Sequence, residues 1–120
     1  MREISLYNQE VISAYSREDA IQDGLLIDVT DAAKKAGIKY PVAATRNLWE
    51  RYINHEDKDA RLWDLLWLFK LKAMHESSDE LSFNVTFTND NPKELVRLWA
   101  VCGPGDLLEP VITIMLPEDY

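Results

Sequence analysis

The sequence RLWDLLWLFKLKAM, residues 61–74, is the most apolar stretch of the chain and decides its fold. On a helical wheel its apolar side chains extend almost all the way round. Within positions 62–74 the interrupting charged residues are Asp64, Lys70 and Lys72. A helix that is apolar on nearly every side belongs in the interior of a domain. We therefore predict one long buried helix here, with Trp63 and Trp67 in the core.

A second pattern, with a period of two residues, follows this stretch. Apolar side chains alternate with polar ones at Leu81, Phe83, Val85 and Phe87. This alternation is typical of a strand with one buried and one solvated face. Residues 95–102 and 111–116 are two further apolar runs, each bounded by turn residues. We predict three antiparallel strands whose apolar face packs on the 61–74 helix.

The first part of the chain carries signals for a short helix. Residues 11–15 are predicted to form a short strand or extended lead-in. Ser16 can then cap a helix, with Asp19 reaching back to complete a capping box. Gly24 is predicted to end this helix, as glycine often does just beyond a helix C-terminus.

Two more short helices are predicted before residue 61. Residues 31–36 are predicted to form the second helix, which Gly37 is predicted to end. Pro41 suits the first position of a third helix, because its missing N–H has no helical partner there. We place this third helix at about 41–53.

The order of these elements predicts an α+β fold. Several short helices and one long buried helix pack on a three-stranded antiparallel sheet. A chain of 120 residues forms a single domain whose core needs no metal or disulfide. We place the helical part at about 16–76 and the sheet at about 80–117.

The chain is acidic, with 21 acidic and 13 basic residues and a net charge of −8. Residues 77–120 carry a net −6, whereas residues 58–76 carry +1. An acidic surface repels nucleic acid and anionic membrane at long range, so the charge disfavours both as partners. The ordinary interpretation of this charge is solubility, and the more specific one is an acidic face that meets a basic partner or imitates a phosphate backbone.

Features of membrane and secreted proteins are missing from this sequence. No apolar run reaches the roughly 18 residues of a membrane span, and Met1–Ser5 does not lead into a signal-peptide apolar region. Cys102 is the single cysteine, so neither an internal disulfide nor a Cys-based zinc site is expected. We expect a cytoplasmic protein that binds no membrane.

Four runs are distinctive: YSREDAIQDG at 15–24, PVAATR at 41–46, RLWD at 61–64 and GPGD at 103–106, followed by Glu109 and Pro110. With these runs the chain resembles, over nearly its whole length, a family of small bacterial proteins of unknown function. We associate that family with plasmids and phages. The resemblance implies a cytosolic protein of a mobile element, and it implies no activity.

A second resemblance is local. DAAKKAGIKY at 31–40, followed by VAATR at 42–46, is similar to the helix-turn-helix of the lactose-repressor class. Ala33, Gly37 and Ile38 stand where that motif has a small residue, a turn glycine and a buried aliphatic residue. The resemblance implies nucleic-acid contacts by Lys34, Lys39, Arg46 and Arg51.

Two residues count against this motif. Arg46 stands where it needs a buried aliphatic anchor, and Pro41 falls near the start of the helix that would read DNA. DNA-binding domains are also usually basic. A solvated basic face is the more frequent explanation of such a pattern.

The turn around residues 102–109 brings a thiol and two carboxylates together in sequence. A catalytic thiol needs a base, and the histidines, His55 and His75, are remote in sequence from Cys102. Asp106 and Glu109 fall short of the six or more oxygen ligands that calcium prefers. We predict no catalytic residue, no metal site and no cofactor.

The sequence therefore favours a non-enzymatic interaction or accessory protein of a mobile element that uses an acidic surface to bind an unidentified protein. Its candidate interaction turn comprises Gly103, Pro104, Gly105, Asp106 and Glu109. One alternative is a DNA-binding module with a degenerate helix-turn-helix at 31–51. Another is a small enzyme built around Cys102 and Asp106. The two edges of a three-stranded sheet also allow a homodimer.

Overall fold

The structure is a computed structural model that describes residues 15–87, 90 and 92–120. The strands are β1 (Leu26–Asp28), β2 (Val42–Thr45), β3 (Glu80–Val85), β4 (Val96–Pro104) and β5 (Pro110–Met115). The helices are α1 (Arg17–Gln22), α2 (Thr30–Lys35), α3 (Arg46–Leu48), which continues into a π-helical turn (Trp49–Ile53), and α4 (Lys58–Ala73). A 3-10 turn (Pro117–Asp119) follows β5. The strand predicted at residues 11–15 lies outside the described residues except for Tyr15.

The mixed α+β fold is confirmed, but the prediction of a three-stranded sheet is wrong. The described strands form one five-stranded sheet in the order β1-β2-β5-β4-β3. The three predicted strands are β3, β4 and β5, and they pair antiparallel. The two additional strands lie in the part of the chain assigned to helices, although the apolar link at 25–27, between the first two predicted helices, also allows a short strand, and β1 overlaps it. β1 pairs antiparallel with β2, and β2 pairs parallel with β5.

The helix predicted at about 41–53 is wrong in its first part. Val42–Thr45 forms β2, between β1 and β5, and Val42, Ala43 and Ala44 are buried there. The preference of alanine for a helix is worth less than about 1 kcal/mol per residue. Hydrogen bonds to strands on both sides, together with burial, outweigh that preference. The helix begins only at Arg46, where Thr45 Oγ1 accepts a hydrogen bond of 3.3 Å from the Leu48 N–H.

The predicted ends of the first two helices are confirmed. Ser16 Oγ accepts a hydrogen bond of 2.9 Å from the Asp19 N–H, and the Asp19 carboxylate accepts one of 3.4 Å from the Ser16 N–H. Gly24 and Gly37 follow α1 and α2 with φ angles of +78° and +89°. Glycine reaches this left-handed region without the steric cost of a Cβ atom.

The hydrophobic core lies between one face of the sheet and the helices α2, α3 and α4. Alternate residues of β3 are buried, as the period-two pattern predicts. Phe83 points to this face and packs against Phe69 of α4, with ring centroids 5.9 Å apart. The predicted contact between α4 and the sheet is therefore confirmed.

The prediction of a helix buried on all sides is wrong. α4 buries one face, made of Arg61, Leu62, Leu65, Leu66 and Phe69. Trp63 and Trp67 lie on the opposite face, with 46% and 40% of their surface exposed. The sheet can cover only one side of the helix, and no described element packs over the other side. By contrast, Trp49 is half-buried against the core.

Arg61 is the buried charged residue among those that the structure describes, with 7% of its surface exposed. Its Nε donates to Asp57 at 2.8 Å, its Nη1 donates to the Tyr52 carbonyl at 2.9 Å, and its Nη2 donates to Asp90. The guanidinium also lies over the ring of Phe87, 5.2 Å from the centroid. Burial opposes the charge, but the hydrogen bonds to both carboxylates outweigh it and raise the pKa of Arg61. Arg61 thus joins the π-helical turn, the start of α4 and the segment after β3.

Candidate interaction site

The outward face of α4 carries an exposed apolar stripe made of Trp63, Trp67, Leu71 and Met74, here called the α4 stripe. Spacings of three and four residues place these side chains along one side of the helix. Their exposed fractions are 46%, 40%, 39% and 67%, respectively. The two indole rings stack on each other, with centroids 5.8 Å apart and planes inclined by 9°.

The α4 stripe has the composition of a protein-binding surface. Aromatic residues and Met are enriched at the centres of protein interfaces, and Trp is frequent among the residues that dominate binding energy. Lys70 Nζ lies 5.5 Å from the ring centroid of Trp67 and adds a cation–π contact. Trp67 therefore lies between Trp63 and Lys70, which limits its rotamers. Less side-chain entropy is then lost when a partner covers it.

At the C-terminal end of α4, the stripe meets an apolar cleft of about 340 Å³. Met74 belongs to both features, and Lys70 lines the cleft next to Trp67. Residues 37–40 of the loop before β2 form one wall of the cleft. The last turns of α4 and residues of β3, β4 and β5 form the rest. Cys102 is half-buried and lines this cleft.

The candidate interaction turn forms the hairpin between β4 and β5. Its tip exposes Leu107 and Leu108 by 86% and 82%. Leu108 has a φ angle of +68°, a left-handed conformation that costs a non-glycine residue about 1–2 kcal/mol. The Glu109 carboxylate accepts a hydrogen bond of 3.0 Å from the Leu107 N–H. Glu109 thus holds the turn, while the two leucines face solvent.

Asp106 ties this hairpin to α1. Its carboxylate oxygens accept hydrogen bonds of 2.8 and 3.0 Å from the backbone N–H groups of Arg17 and Glu18. These bonds lower the pKa of Asp106. The Arg17 guanidinium in turn donates to Thr113 Oγ1 at 2.7 Å and to the Ile112 carbonyl at 2.8 Å. The geometry therefore gives Asp106 a structural contact.

Cys102 and Asp106, the two residues of the small-enzyme alternative, line different cavities. Cys102 faces the apolar cleft beside α4, whereas Asp106 lines a polar groove beside α1 with Arg17. The histidines line neither of these two cavities. Among the described residues, no three His, Cys, Asp or Glu side chains form a group that could hold a metal ion.

The residues predicted to contact nucleic acid do not form a helix-turn-helix. Lys34 lies in α2, Lys39 in the following loop, Arg46 at the start of α3, and Arg51 in the π-helical turn. A helix-turn-helix needs a second helix directly after the turn to enter the major groove. The chain forms β2 at that position, so the predicted motif at 31–51 is wrong. Arg51 is also engaged within the protein, in an ion pair of 2.5 Å with Glu118.

We expect the protein to leave duplex DNA unretarded in a gel-shift experiment at low salt. The predicted reading helix is a central strand, and the net charge is −8. The double variant Lys39→Glu/Arg46→Glu should give the same pattern as the unchanged protein. Retardation by the unchanged protein that this variant abolishes would contradict the expectation.

Most acidic residues of the segment 77–120 make contacts within the protein. Six of the eight accept hydrogen bonds from its own chain: Glu80, Asp90, Asp106, Glu109, Glu118 and Asp119. Asp119, for example, accepts a hydrogen bond of 2.7 Å from Thr45 Oγ1 at the end of β2. These contacts favour a structural use of the carboxylates, joining the C-terminal segment to the rest of the fold.

Asp106→Asn is expected to lower the thermal unfolding midpoint at neutral pH, because an amide offers one carbonyl oxygen to two N–H donors. The folded-state pKa of Asp106 is depressed, so its contribution is present above the ordinary value of 3.8 and is lost as pH falls through the folded-state pKa. Midpoints measured over a pH series should therefore converge in acid. Glu94→Gln, at an exposed residue, serves as the control that shows no such convergence. A difference that stays constant into acid would contradict this role.

Fold and site together define a small mixed α+β protein with an exposed aromatic helix face. The sequence profile of a family described as "Family of unknown function (DUF6573)" matches residues 4–120. Because the match spans nearly the whole chain, the protein belongs to this family. No curated protein and no solved structure matches the chain. No helix in the described part of the chain is long and apolar enough to cross a bilayer.

Proposed function

We propose that this protein is a non-enzymatic interaction protein that binds a protein partner through the α4 stripe. One observation carries the proposal: Trp63 and Trp67 stack on each other in solvent, on a helix whose opposite face fills the core. Roughly 100 Å² of each indole stays exposed at these fractions. If a partner covered both indoles, the buried apolar area would contribute about 5 kcal/mol to the binding free energy, before the entropic costs of association are subtracted.

The size of the stripe argues against a symmetric dimer held by the stripe alone. The exposed parts of its four side chains amount to roughly 400 Å² per molecule, so a symmetric dimer through the stripe alone would bury roughly 800 Å². Stable interfaces usually bury about 1,200–2,000 Å². A partner that contributes a groove or a larger face can reach that area, because it also contacts the flanks of α4.

The resemblance of the sequence to small bacterial proteins of plasmids and phages supports a finer proposal. This finer proposal is that the protein is a cytoplasmic accessory protein of a mobile element. The acidic segment 77–120 then attracts a basic partner at long range, since paired carboxylates still contribute to the net charge of −8. The α4 stripe supplies the short-range contact. Binding should accordingly become slower as salt is raised.

Affinity capture from the native host with three baits tests this proposal. The baits are the unchanged protein, Trp63→Ser/Trp67→Ser, and Leu107→Ser/Leu108→Ser. The last bait is the matched control, because it removes two exposed apolar side chains at a different site. We expect the unchanged protein and the leucine variant to capture the same partner, and the tryptophan variant to lose it. With purified partner, the loss of affinity should be at least about 100-fold.

Thermal and urea unfolding of the tryptophan variant provide the stability control. Because more than half of each indole is covered in the fold, the free energy of unfolding should fall by about 1–3 kcal/mol. Retention of the partner by a folded tryptophan variant would contradict the proposal. Loss of the partner by the leucine variant alone would assign binding to the β4–β5 hairpin instead.

A further inference from the structure

We propose that the cleft at the C-terminal end of α4 binds a small amphipathic carboxylate, with an apolar body of about ten non-hydrogen atoms. This site adjoins the protein contact proposed for the α4 stripe and shares Met74 with it. The cleft volume is about 340 Å³. At roughly 30 Å³ per group, the share of a water molecule in the liquid, it holds about eleven non-hydrogen groups. This volume falls at the small end of the range of about 300–1,000 Å³ for small-molecule sites.

The floor of the cleft is apolar and arises from three parts of the chain. Phe69, Leu81, Ala100 and Ile112 line it and are buried in the fold. The small side chain of Ala73 in the last turn of α4 leaves room above this floor. An apolar chain or ring that enters the cleft would exchange water for these side chains, which is favourable in proportion to the area covered.

Lys70 gives one end of the cleft a positive charge. Its Nζ lies so close to Gly37 that a Cβ atom at position 37 would collide with it. Gly37 has a φ angle of +89°. The absence of a side chain at this position therefore allows the left-handed turn and also leaves space for the Lys70 ammonium group. The Trp67 ring also contacts the ammonium group, whose nitrogen lies 5.5 Å from the ring centroid. The amine is therefore kept next to the apolar floor.

The surrounding charge also favours an anion. Two lysines, Lys39 and Lys70, line the cleft. Two acidic residues, Glu76 and Asp79, line the cleft as well. Glu76 is neutralised by an ion pair of 2.7 Å with Lys72. With Glu76 paired to Lys72 outside the cleft, Lys39 and Lys70 face Asp79 as the remaining lining carboxylate, which leaves an excess of one positive charge. A carboxylate here would form a charge-assisted hydrogen bond with an ammonium group.

Cys102 allows a direct test, because the single thiol of the chain lines the cleft. The measurement is the rate of alkylation of Cys102 by N-ethylmaleimide with decanoate, decylamine or no addition. We expect saturating decanoate to slow alkylation at least tenfold, and decylamine, with the same number of carbon atoms and the opposite charge, to slow it less than twofold. Lys70→Met, which keeps the length of the side chain and removes its charge, should weaken decanoate binding about tenfold. Calorimetric titration with decanoate measures the affinity independently.

Ala73→Phe provides the blocking variant, because it places a ring into the cleft from a half-exposed position at the end of α4. It should abolish protection by decanoate while leaving the circular dichroism spectrum unchanged. Ala100→Leu fills the cleft from the sheet side and provides a second blocking variant. Leu71→Ser, in the α4 stripe but outside the cleft lining, should bind decanoate normally, so loss of the protein partner and loss of the carboxylate can be told apart.

Three results would overturn the proposal. The first is equal protection by decylamine and decanoate, which would show binding without a role for the lysines. The second is protection that persists in folded Ala73→Phe and Ala100→Leu, which would place decanoate elsewhere. The third is no protection at all. If decanoate gives none and Ala73→Phe also loses the captured protein, the cleft receives an apolar side chain of that partner instead.

Discussion

Arg61→Ala should reduce the free energy of unfolding by about 3–5 kcal/mol, the usual cost of breaking a buried ion pair from one side. The substitution leaves the Asp57 and Asp90 carboxylates without their shared cation, although their side chains are only 28% and 23% exposed. The Tyr52 carbonyl loses the donor that approaches it at 2.9 Å. Urea unfolding at neutral pH measures the change.

Two further variants show whether the loss comes from this network. Arg61→Lys keeps the positive charge but has one ammonium group in place of three directed N–H donors, so we expect an intermediate loss. Arg46→Ala removes an exposed arginine and should change stability by less than about 0.5 kcal/mol. A loss below about 1 kcal/mol for Arg61→Ala would show that the network is not needed for the fold.

Leu66→Ala should lower the free energy of unfolding by about 2–5 kcal/mol, whereas Leu71→Ala should lower it by less than about 1 kcal/mol. Leu66 is fully buried and Leu71 is 39% exposed, five positions further along the same helix. Because both changes are leucine to alanine inside α4, the change in helix propensity is the same for both. The difference between them therefore reports burial. Denaturant unfolding of the two variants side by side is the measurement.

This pair of variants also shows whether α4 is covered on both faces or on one face only. Equal large losses would mean that α4 is covered on both faces, as its composition predicts. A large loss at Leu66 and a small one at Leu71 would mean that the helix is an outer layer with a free apolar face. The proposed protein contact depends on the second picture, because a covered Trp63 and Trp67 could not meet a partner.

Local signals predicted the local parts of the fold. The capping box of Ser16 and Asp19, the glycine after α1 and the alternation in β3 all appear as expected. Each of these features depends on residues within a few positions of one another. The strand β2 escaped prediction because it is four residues long and its parallel partner, β5, lies about 70 positions further along the chain. Nothing near Val42 shows that such a partner exists.

The candidate site was less accessible to prediction than the fold. The sequence indicated the turn at 103–109, yet it marked Asp106 and Glu109, which make internal contacts, and missed Leu107 and Leu108 at the tip. The cleft is assembled from α4, the loop before β2 and three strands, so no short motif could mark it. Two adjacent leucines between turn residues were the one available signal for the exposed tip.

The sequence by itself determined which segments are helix or strand wherever caps, glycines and periodicity agree, because these preferences act between near neighbours in the chain. It also determined that α4 would be strongly apolar. Only the tertiary structure decided which side of α4 is covered, since that depends on how many layers the rest of the chain can supply. The described sheet supplies one layer, and Trp63 and Trp67 are therefore left facing solvent.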